Sequence, residues 1–294
     1  MAKPFRPPLI QRFTRWIFPI LERRAPSLAV RLFVQLFFTP LHFGFPTKEQ
    51  PWVEKARRSD LRIHGKRVVV YEWGEPGHPL LLFVHGWAGR GTQFREFFQA
   101  AIDRGFRVVT FDGPAHGHSG GKRTNVLEFH ECVRQIVERF GTPAGVVGHS
   151  FGGTVTLYGV MQGLPIAHVA TIGTPVIAEL LIRSFLKAVN GSEKTGRAFR
   201  KHLLKKYGRD FNEFSVEWFL PRLAHPIGLL IVHDEKDKEV SIEHAHEAQK
   251  LYPSAGLHVT TGLGHNRILK DKDVVALVLD FMQDGKRSQS KTNL

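Results

Sequence analysis

The chain has little cysteine, few acidic residues and no long hydrophobic run. One cysteine, Cys132, in 294 residues excludes an internal disulfide framework and is typical of a reducing compartment. The 27 acidic residues are outnumbered by 41 Lys and Arg residues, and the formal charge of +14 favours anionic partners such as nucleic acid, anionic lipid or an acidic ligand. With 42% hydrophobic residues the chain can bury a large core, which excludes a disordered tail.

The absence of a long apolar run also limits the membrane topologies open to the chain. Residues 28–38 are apolar, but Arg31 and Gln35 interrupt them and Pro40 ends them, short of the ~20 residues that span a bilayer. No small-residue cleavage site follows this run. We therefore expect neither a transmembrane helix nor a cleaved signal peptide.

Residues 1–60 form a compositionally separate arm, with eleven basic and four acidic residues. Within it, apolar side chains recur at helical spacing among arginines: Ile10, Phe13, Trp16, Ile17 and Ile20. Such a stripe is typical of a basic helix lying on an anionic membrane surface, or of an arm packed over the rest of the protein. The second interpretation is favoured, because aromatic stripes at this spacing are more often part of a core.

The rest of the chain alternates strand and helix patterns. Two apolar segments, 61–63 and 67–73, flank His64-Gly65-Lys66 and predict a hairpin. Buried strands rich in Val, Ile and Leu are predicted at 80–85, 106–111, 144–148, 167–172, 227–232 and 257–261. Helices are predicted between them at 93–103, 126–140, 153–161, 242–251 and 274–282. Repeated strand-helix-strand units define the α/β class.

The repeat is broken after the sixth strand by about fifty residues that read as helical, at 176–188 and 193–207. We predict a helical cap at 176–223, inserted into a core made of 61–175 and 224–283, and a flexible tail at 284–294. Basic residues crowd the cap, and Glu193 and Asp210 are the acids directly next to them in the sequence. These basic residues predict a solvated face, or a patch that turns toward an anionic surface. They are Arg183, Lys187, Lys194, Arg197, Arg200, Lys201, Lys205, Lys206 and Arg209.

The motif G-x-S-x-G occurs at 148–152, between a predicted strand and a predicted helix. A sharp turn there needs small residues on both sides and exposes the Ser150 hydroxyl beside a helix N-terminus. A hydroxyl nucleophile needs a nearby base, and the base needs a carboxylate. Downstream, two further strands end in loops that carry Asp234 and Asp237, and then His265. The order nucleophile, acid, base, with each residue after a different strand, is more specific than any one motif.

With these motifs the sequence resembles the α/β-hydrolase superfamily, in its serine hydrolase branch. The resemblance implies a mostly parallel eight-stranded sheet flanked by helices, with the cap after the sixth strand. His85-Gly86-Trp87 resembles the family's oxyanion-hole loop, which implies the backbone N–H groups of Trp87 and Phe151 as oxyanion donors. His85, Gly86 and His149 become candidates for the pocket wall.

Residues 111–120 resemble the D-x-x-G-H-G-x-S loop of the family, which has a mainly structural role. His233-x-x-x-Asp237-x-x-Val240 resembles the segment that supplies the acid, although Asp234 occupies the usual glycine position. The resemblance implies Asp237 as the acid, with Asp234 as its rival, and Gly264-His265 as the base motif.

The resemblance implies a cytoplasmic serine hydrolase, peripheral to the membrane if the arm docks there, that cleaves an apolar carboxylic ester or thioester through an acyl-enzyme on Ser150. A serine at this position argues against the aspartate-nucleophile enzymes of the superfamily. A non-catalytic binding protein of the same fold, or C–C bond, perhydrolase or amide chemistry, stays open. No nucleic-acid partner and no cofactor are expected.

Several other residues favour structural roles. The pairs His116/His118 and His244/His246 lack the further ligands that zinc requires, so no metal site is predicted. Cys132 falls in a helical pattern as a small buried hydrophobe. Packing against the sheet is favoured over an acyl pocket for three aromatic residues: Phe94, Phe97 and Phe98.

Overall fold

The computed structural model describes the backbone of residues 9–292 and the side chains of residues 13–284. The helices are α1 (Leu9–Arg24), α2 (Pro26–Phe37), α3 (Gln50–Lys55), α4 (Arg95–Asp103), α5 (Val126–Phe140), α6 (Phe151–Met161), α7 (Ala178–Val189), α8 (Glu193–Tyr207), α9 (Val216–Phe219), α10 (Glu243–Leu251), α11 (Gly264–Arg267) and α12 (Lys272–Thr292). The strands are β1 (Arg57–Ile63), β2 (Lys66–Trp73), β3 (Leu80–Val84), β4 (Arg107–Phe111), β5 (Gly145–His149), β6 (His168–Ile172), β7 (Gly228–Asp234) and β8 (Gly256–Thr260).

The eight strands of the described chain form one sheet in the order β1-β2-β4-β3-β5-β6-β7-β8. The first two strands make the predicted hairpin, whose turn residues His64 and Gly65 have positive φ of 46° and 79°, as a tight two-residue turn requires. From β4 onward the neighbours are parallel, so the carboxyl ends of β3, β5, β6, β7 and β8 lie at one edge. The predicted fold class is confirmed.

Helices cover both faces of the sheet. On one face, buried side chains of α5, α6 and α10 pack against alternate residues of the central strands. On the other face, Phe97 and Phe98 of α4 and Leu279 and Met282 of α12 pack against Phe83 and other buried residues. Phe94, Phe97 and Phe98 are fully buried, which confirms that they pack against the sheet.

The N-terminal arm and the helices between β6 and β7 share a third hydrophobic cluster. Phe18 of α1 and Phe33 of α2 are fully buried with Ile182 of α7 and Phe199 of α8. The Glu22 carboxylate fixes α1 to the start of α8, because it accepts hydrogen bonds from the Ser192 N–H and from the Ser192 and Thr195 hydroxyls. The arm is therefore packed on the inserted segment (residues 176–223). The boundaries of arm, core and cap as domains stay a prediction.

The predicted flexible tail, residues 284–294, begins within α12, which is helical through Thr292. Its flexibility stays a prediction. Buried Leu279 and Met282 anchor this helix, and neither a proline nor a left-handed glycine follows to end it. Residues 293 and 294 lie outside the described part. Among the described residues, no helix is long and apolar enough to cross a membrane.

Candidate active site

Ser150 lies on a sharp turn between β5 and α6. Its backbone has φ 51° and ψ −124°, a strained conformation for a residue with a side chain, and its N–H donates to the Ile172 carbonyl oxygen at 2.8 Å. A Cβ on Gly148 would lie 2.6 Å from Gly153 Cα, and one on Gly152 would overlap the Val84 carbonyl oxygen. The small residues of the motif are therefore required by backbone contacts on both sides of the serine.

His265 and Asp237 form a hydrogen-bonded pair at the same edge of the sheet. His265 Nδ1 lies 2.6 Å from Asp237 Oδ2, and both side chains are almost fully buried. The other carboxylate oxygen, Oδ1, accepts from the N–H groups of Glu239 and Val240 at 2.8 and 2.9 Å. These two donors fix the carboxylate, which then holds the imidazole with its proton on Nδ1 and leaves Nε2 as the basic atom.

The electrostatics of Asp237 favour its charged form. Burial by itself would raise the pKa of the carboxyl, but the hydrogen bond and charge of His265, together with the two backbone donors, lower the pKa below its ordinary value. An ionised Asp237 can stabilise an imidazolium at position 265. The pair therefore has the arrangement of a general base, with an imidazole held by a charged carboxylate.

The rival acid, Asp234, has a different role. Its Oδ2 accepts from the Thr260 hydroxyl at 2.9 Å and from the Leu263 N–H at 2.8 Å, and its Oδ1 accepts from the Lys236 N–H at 3.0 Å. Asp234 thus joins the loop after β7 to the loop after β8. It holds the backbone that carries His265 and does not contact the imidazole.

The loop after β3 lies beside the serine. A Cβ on Gly86 would lie 2.9 Å from Ser150 Cβ, so only glycine permits this approach. His85 Nδ1 donates to the Gly86 carbonyl oxygen at 2.7 Å, and its Nε2 accepts from the Gly113 N–H at 2.8 Å. His116 Nε2 accepts from the Ala88 N–H at 3.0 Å, so the 111–120 segment supports the 86–88 loop. Burial lowers the pKa of His116 to about 4, which keeps this acceptor neutral.

His149 connects the strand before the serine to the loop of His265. Its Nε2 donates to the His265 carbonyl oxygen at 2.9 Å, and its Nδ1 accepts from the Gln93 amide at 3.0 Å. Burial and the neighbouring His265 lower the pKa of His149 to about 3, so it is neutral and unsuited to act as a second base.

An apolar cavity of about 270 Å³ opens from this edge of the sheet. Its reactive end is lined by Trp87, Ser150, Phe151 and His265, with Glu239 beside them. Phe37 and Phe38 of the arm line another part of the wall. The inserted segment contributes side chains that are mostly apolar: Val176, Ile177, Ala178, Leu181, Phe185, Leu203, Tyr207, Phe211, Phe214 and Ser215. The remaining lining residues belong to the core: Asn125, Val126, Leu127, Thr154, Pro175 and Val240.

The residues predicted for the pocket wall, His85, Gly86 and His149, are not among those that line this cavity. Both histidines are buried and use their ring nitrogens to hold the surrounding loops. Sequence alone could not show this, because a histidine next to a reactive serine looks the same whether it points into the cavity or away from it.

The contribution of α2 and the following residue to the cavity does not follow from the sequence. Phe37 and Phe38 end an apolar run, and nothing in the local pattern indicates that they line a cavity with Ser150. The same holds for Gly173, whose φ is 58° and whose added Cβ would lie 3.2 Å from His265 Nδ1. The positions of Phe37, Phe38 and Gly173 depend on packing between distant parts of the chain.

No cluster of His, Cys, Asp or Glu able to hold a metal ion occurs among the described side chains. His116 and His244 instead accept hydrogen bonds from backbone N–H groups. Cys132 is fully buried, as predicted, and burial raises the pKa of its thiol well above the ordinary value. It therefore packs as a small hydrophobe and is a poor nucleophile.

The eight-stranded, mostly parallel sheet and the serine turn at its carboxyl edge are features of one class of protein. A model described as the alpha/beta hydrolase family matches residues 81–277, which is more than half of the chain. The chain therefore belongs to the alpha/beta hydrolase family.

Curated relatives match over shorter regions. The chain is 32% identical over 105 residues to the bifunctional esterase/perhydrolase DCH of Acinetobacter calcoaceticus, covering 33% of this chain and 37% of that protein. It is 28% identical over 111 residues to the monoacylglycerol lipase of Mycolicibacterium smegmatis, covering 34% of this chain and 40% of that protein. The matches thus span well under half of the length of these relatives.

Solved structures support the same fold over more of the chain. The crystal structure of a membrane phospholipase A has a TM-score of 0.62 at 15% identity, covering 94% of this chain and 99% of that one. At this identity the likeness concerns the fold alone.

Proposed function

We propose that the protein is a serine hydrolase that cleaves a carboxylic ester through an acyl-enzyme on Ser150. The observation that carries this proposal is the position of Ser150 and His265 together at one end of the apolar cavity, with His265 bound to Asp237. Relatives named as esterase and lipase support ester hydrolysis. A thioester would be cleaved by the same chemistry.

In the proposed mechanism, His265 Nε2 removes the proton of the Ser150 hydroxyl as Oγ attacks the carbonyl carbon of the ester. Asp237 stabilises the imidazolium, and the N–H groups of Trp87 and Phe151 stabilise the oxyanion. Phe151 is the first residue of α6, so its N–H has no acceptor within the helix. The imidazolium then protonates the leaving alcohol, and water, activated by His265, releases the acid and regenerates Ser150.

The cavity favours an apolar acyl or alcohol group. Beyond the reactive end its wall is made mostly of Phe, Leu, Ile and Val side chains, which bind hydrocarbon and penalise buried polar groups. The lipase names among the relatives are consistent with such a substrate. For the location we propose the cytoplasm, with the enzyme peripheral to the inner face of the membrane if the arm docks there.

Perhydrolysis is the second candidate, because the relative DCH is named as both esterase and perhydrolase. It would use the same acyl-enzyme, with hydrogen peroxide in place of water as the acceptor. A comparison of peracid and acid formation from one ester, with peroxide added, distinguishes the two activities.

The proposal is tested with p-nitrophenyl esters from acetate to palmitate, comparing the wild-type protein with Ser150→Ala. We expect the substitution to lower kcat by about 10⁵-fold or more, because the nucleophile is lost. We also expect a fluorophosphonate to label the wild type and not the variant. A wild type that neither turns over any ester nor reacts with the fluorophosphonate would leave ligand binding as the function of the fold.

A further inference from the structure

Helix α1 has two apolar faces, and only one of them is buried. Phe18 is fully buried against the inserted segment. About half a turn away, Phe13 is 61% exposed, Trp16 66% and Ile20 40%. These three side chains follow the spacing of three and four residues that places them on one side of a helix. Three residues of the predicted stripe therefore lie on the outer side, and Ile17 is half-buried, while a residue outside the stripe makes the packing contact. The side chain of the fifth predicted residue, Ile10, lies outside the described side chains.

Basic residues surround this exposed stripe. Arg15, Arg23 and Arg24 of α1 are exposed, and Arg31 of α2 is exposed close by in sequence. Glu22, the acid among the described side chains of α1, is bound to Ser192 and Thr195 and is not available to pair with these arginines. The outer face of α1 thus combines large apolar side chains with uncompensated positive charge.

A second basic stripe follows the outer face of α8, which packs against α2 through Phe199 and Leu203. The exposed positions recur at three and four residues: Lys194, Arg197, Lys201 and Lys205. Of the described acids, Glu193 at the start of α8 is exposed near this stripe and lies 3.9 Å from Arg183. Helices α1 and α8 therefore have basic outer faces on neighbouring parts of the surface.

Helices α2, α7 and α8 contribute the side chains of their inner faces to the cavity wall. Phe37 of α2 and Leu203 of α8 line the cavity, and so does Leu181 of α7, on which α1 packs. Leu181 is 37% exposed, so the wall reaches the outer surface at this point. Helix α1 carries the exposed stripe and packs on α2 and α7, which line the cavity. These helices thus separate the cavity from the outside.

We propose that the outer faces of α1 and α8 are a docking surface for an anionic lipid bilayer, from which an acyl lipid enters the cavity. Aromatic residues flanked by arginines bind the boundary between headgroups and acyl chains, and the basic stripe of α8 binds anionic headgroups. A protein partner would need acidic groups matched to each cation, whereas a bilayer offers diffuse negative charge to all of them. The substrate part rests on the proposed ester hydrolase function.

Vesicle flotation of the full chain tests the docking surface. The vesicles contain phosphatidylcholine alone or an equal mixture of phosphatidylcholine and phosphatidylglycerol, each at low and high salt. The apolar variant is Phe13→Ser with Trp16→Ser, and its control is Val259→Ser, an exposed apolar residue of β8. The basic variant is Lys201→Gln with Lys205→Gln, and its control is Arg62→Gln with Lys250→Gln, which are exposed on β1 and α10.

We expect the wild type to bind the mixed vesicles, more tightly at low salt than at high salt. The basic variant should bind about fivefold more weakly for each charge removed. The apolar variant should lose most of the binding, and both controls should match the wild type. Equal binding by all variants, or equal losses in variants and controls, would overturn the proposal. So would a stripe variant that changes the oligomeric state but keeps vesicle binding, because the face would then join two copies of the chain.

Two enzymatic measurements separate docking from catalysis. The docking variants should hydrolyse soluble p-nitrophenyl acetate at the wild-type rate and lose hydrolysis of a fluorogenic acyl lipid held in the mixed vesicles. Ser150→Ala should bind vesicles normally and hydrolyse neither substrate. Normal docking without hydrolysis of any ester by the wild type would refute the proposed function and leave the docking surface standing. Unchanged hydrolysis of the vesicle lipid by the docking variants would refute the route from the bilayer.

Discussion

Asp234 and Asp237 are three residues apart in one loop, yet their carboxylates have different partners. Asp237 Oδ2 contacts His265 Nδ1 at 2.6 Å, whereas Asp234 binds backbone N–H groups and Thr260 across the two loops. Both are almost fully buried, so each substitution removes a buried hydrogen-bond partner. A comparison of the two residues therefore separates an effect on the reaction from an effect on folding.

We expect Asp237→Asn to lower kcat for p-nitrophenyl butyrate by about 10³- to 10⁴-fold, because the amide neither fixes the required tautomer nor stabilises the imidazolium. Asp234→Asn should lower the free energy of unfolding by about 1 to 3 kcal/mol and change kcat much less. Steady-state kinetics and urea unfolding of both variants provide the measurement. If Asp234→Asn had the larger loss of kcat at full stability, the acid would be misassigned.

At the scale of the element, α2 combines a structural and a binding role one turn apart. Phe33 is fully buried and contacts Phe185 and Phe199 at ring-centroid distances of 5.2 and 5.1 Å. Phe37, four residues later on the same side of the helix, is partly exposed and lines the cavity. Phe33 therefore anchors the helix, and Phe37 places an aromatic ring in the wall of the cavity.

We predict that Phe37→Ala changes chain-length preference. Removal of the ring enlarges the apolar part of the cavity, so kcat/KM should rise for long p-nitrophenyl esters relative to short ones. The rate with the acetate should stay close to the wild-type value, because the reactive end is unchanged. The measurement is kcat/KM across the ester series, with Phe43→Ala, an exposed phenylalanine in the connection after α2, as the control. The same relative preference in Phe37→Ala and wild type would show that α2 does not contact the acyl chain.

At the scale of the whole molecule, buried neutral histidines couple folding to pH. Burial lowers the pKa of His116 and His244 to about 4 and that of His149 to about 3, from an ordinary value of 6.5. Each accepts a hydrogen bond with an unprotonated ring nitrogen, which protonation would break. The unfolded chain binds protons at these positions below pH 6.5, whereas the folded chain does not.

The contribution of these histidines to the free energy of unfolding should therefore be fully present above about pH 6.5 and decrease as the pH drops toward 4. Each histidine contributes up to about 1.4 kcal/mol per pH unit in this window. Urea unfolding at a series of pH values measures the slope. His244→Asn keeps an acceptor near Val176 and Ile177 but does not titrate, so it should reduce the slope by up to about 1.4 kcal/mol per pH unit, while His246→Asn on the exposed side of α10 should not. A slope unaffected by His244→Asn would exclude this residue from the acid transition.

The sequence by itself determined the alternation of strands and helices, the hairpin at 61–73 and the serine turn. These features depend on local rules: apolar runs of strand length, a His64-Gly65 turn with positive φ, and small residues around Ser150. The same rules predict that Ser150, Asp237 and His265 lie at one edge of the sheet, because each residue follows a strand whose carboxyl end lies at that edge.

Only the tertiary structure decided which face of each element is covered. Phe18 and Trp16 are two residues apart in one helix, and contact with the inserted segment buries the first and leaves the second exposed. Packing of α2 against α8 placed Phe37 at the cavity, and the loops around β3 and β5 turned His85 and His149 away from it. Burial depends on partners more than a hundred residues away in sequence, so a local pattern can predict a helix but not the neighbour that covers it.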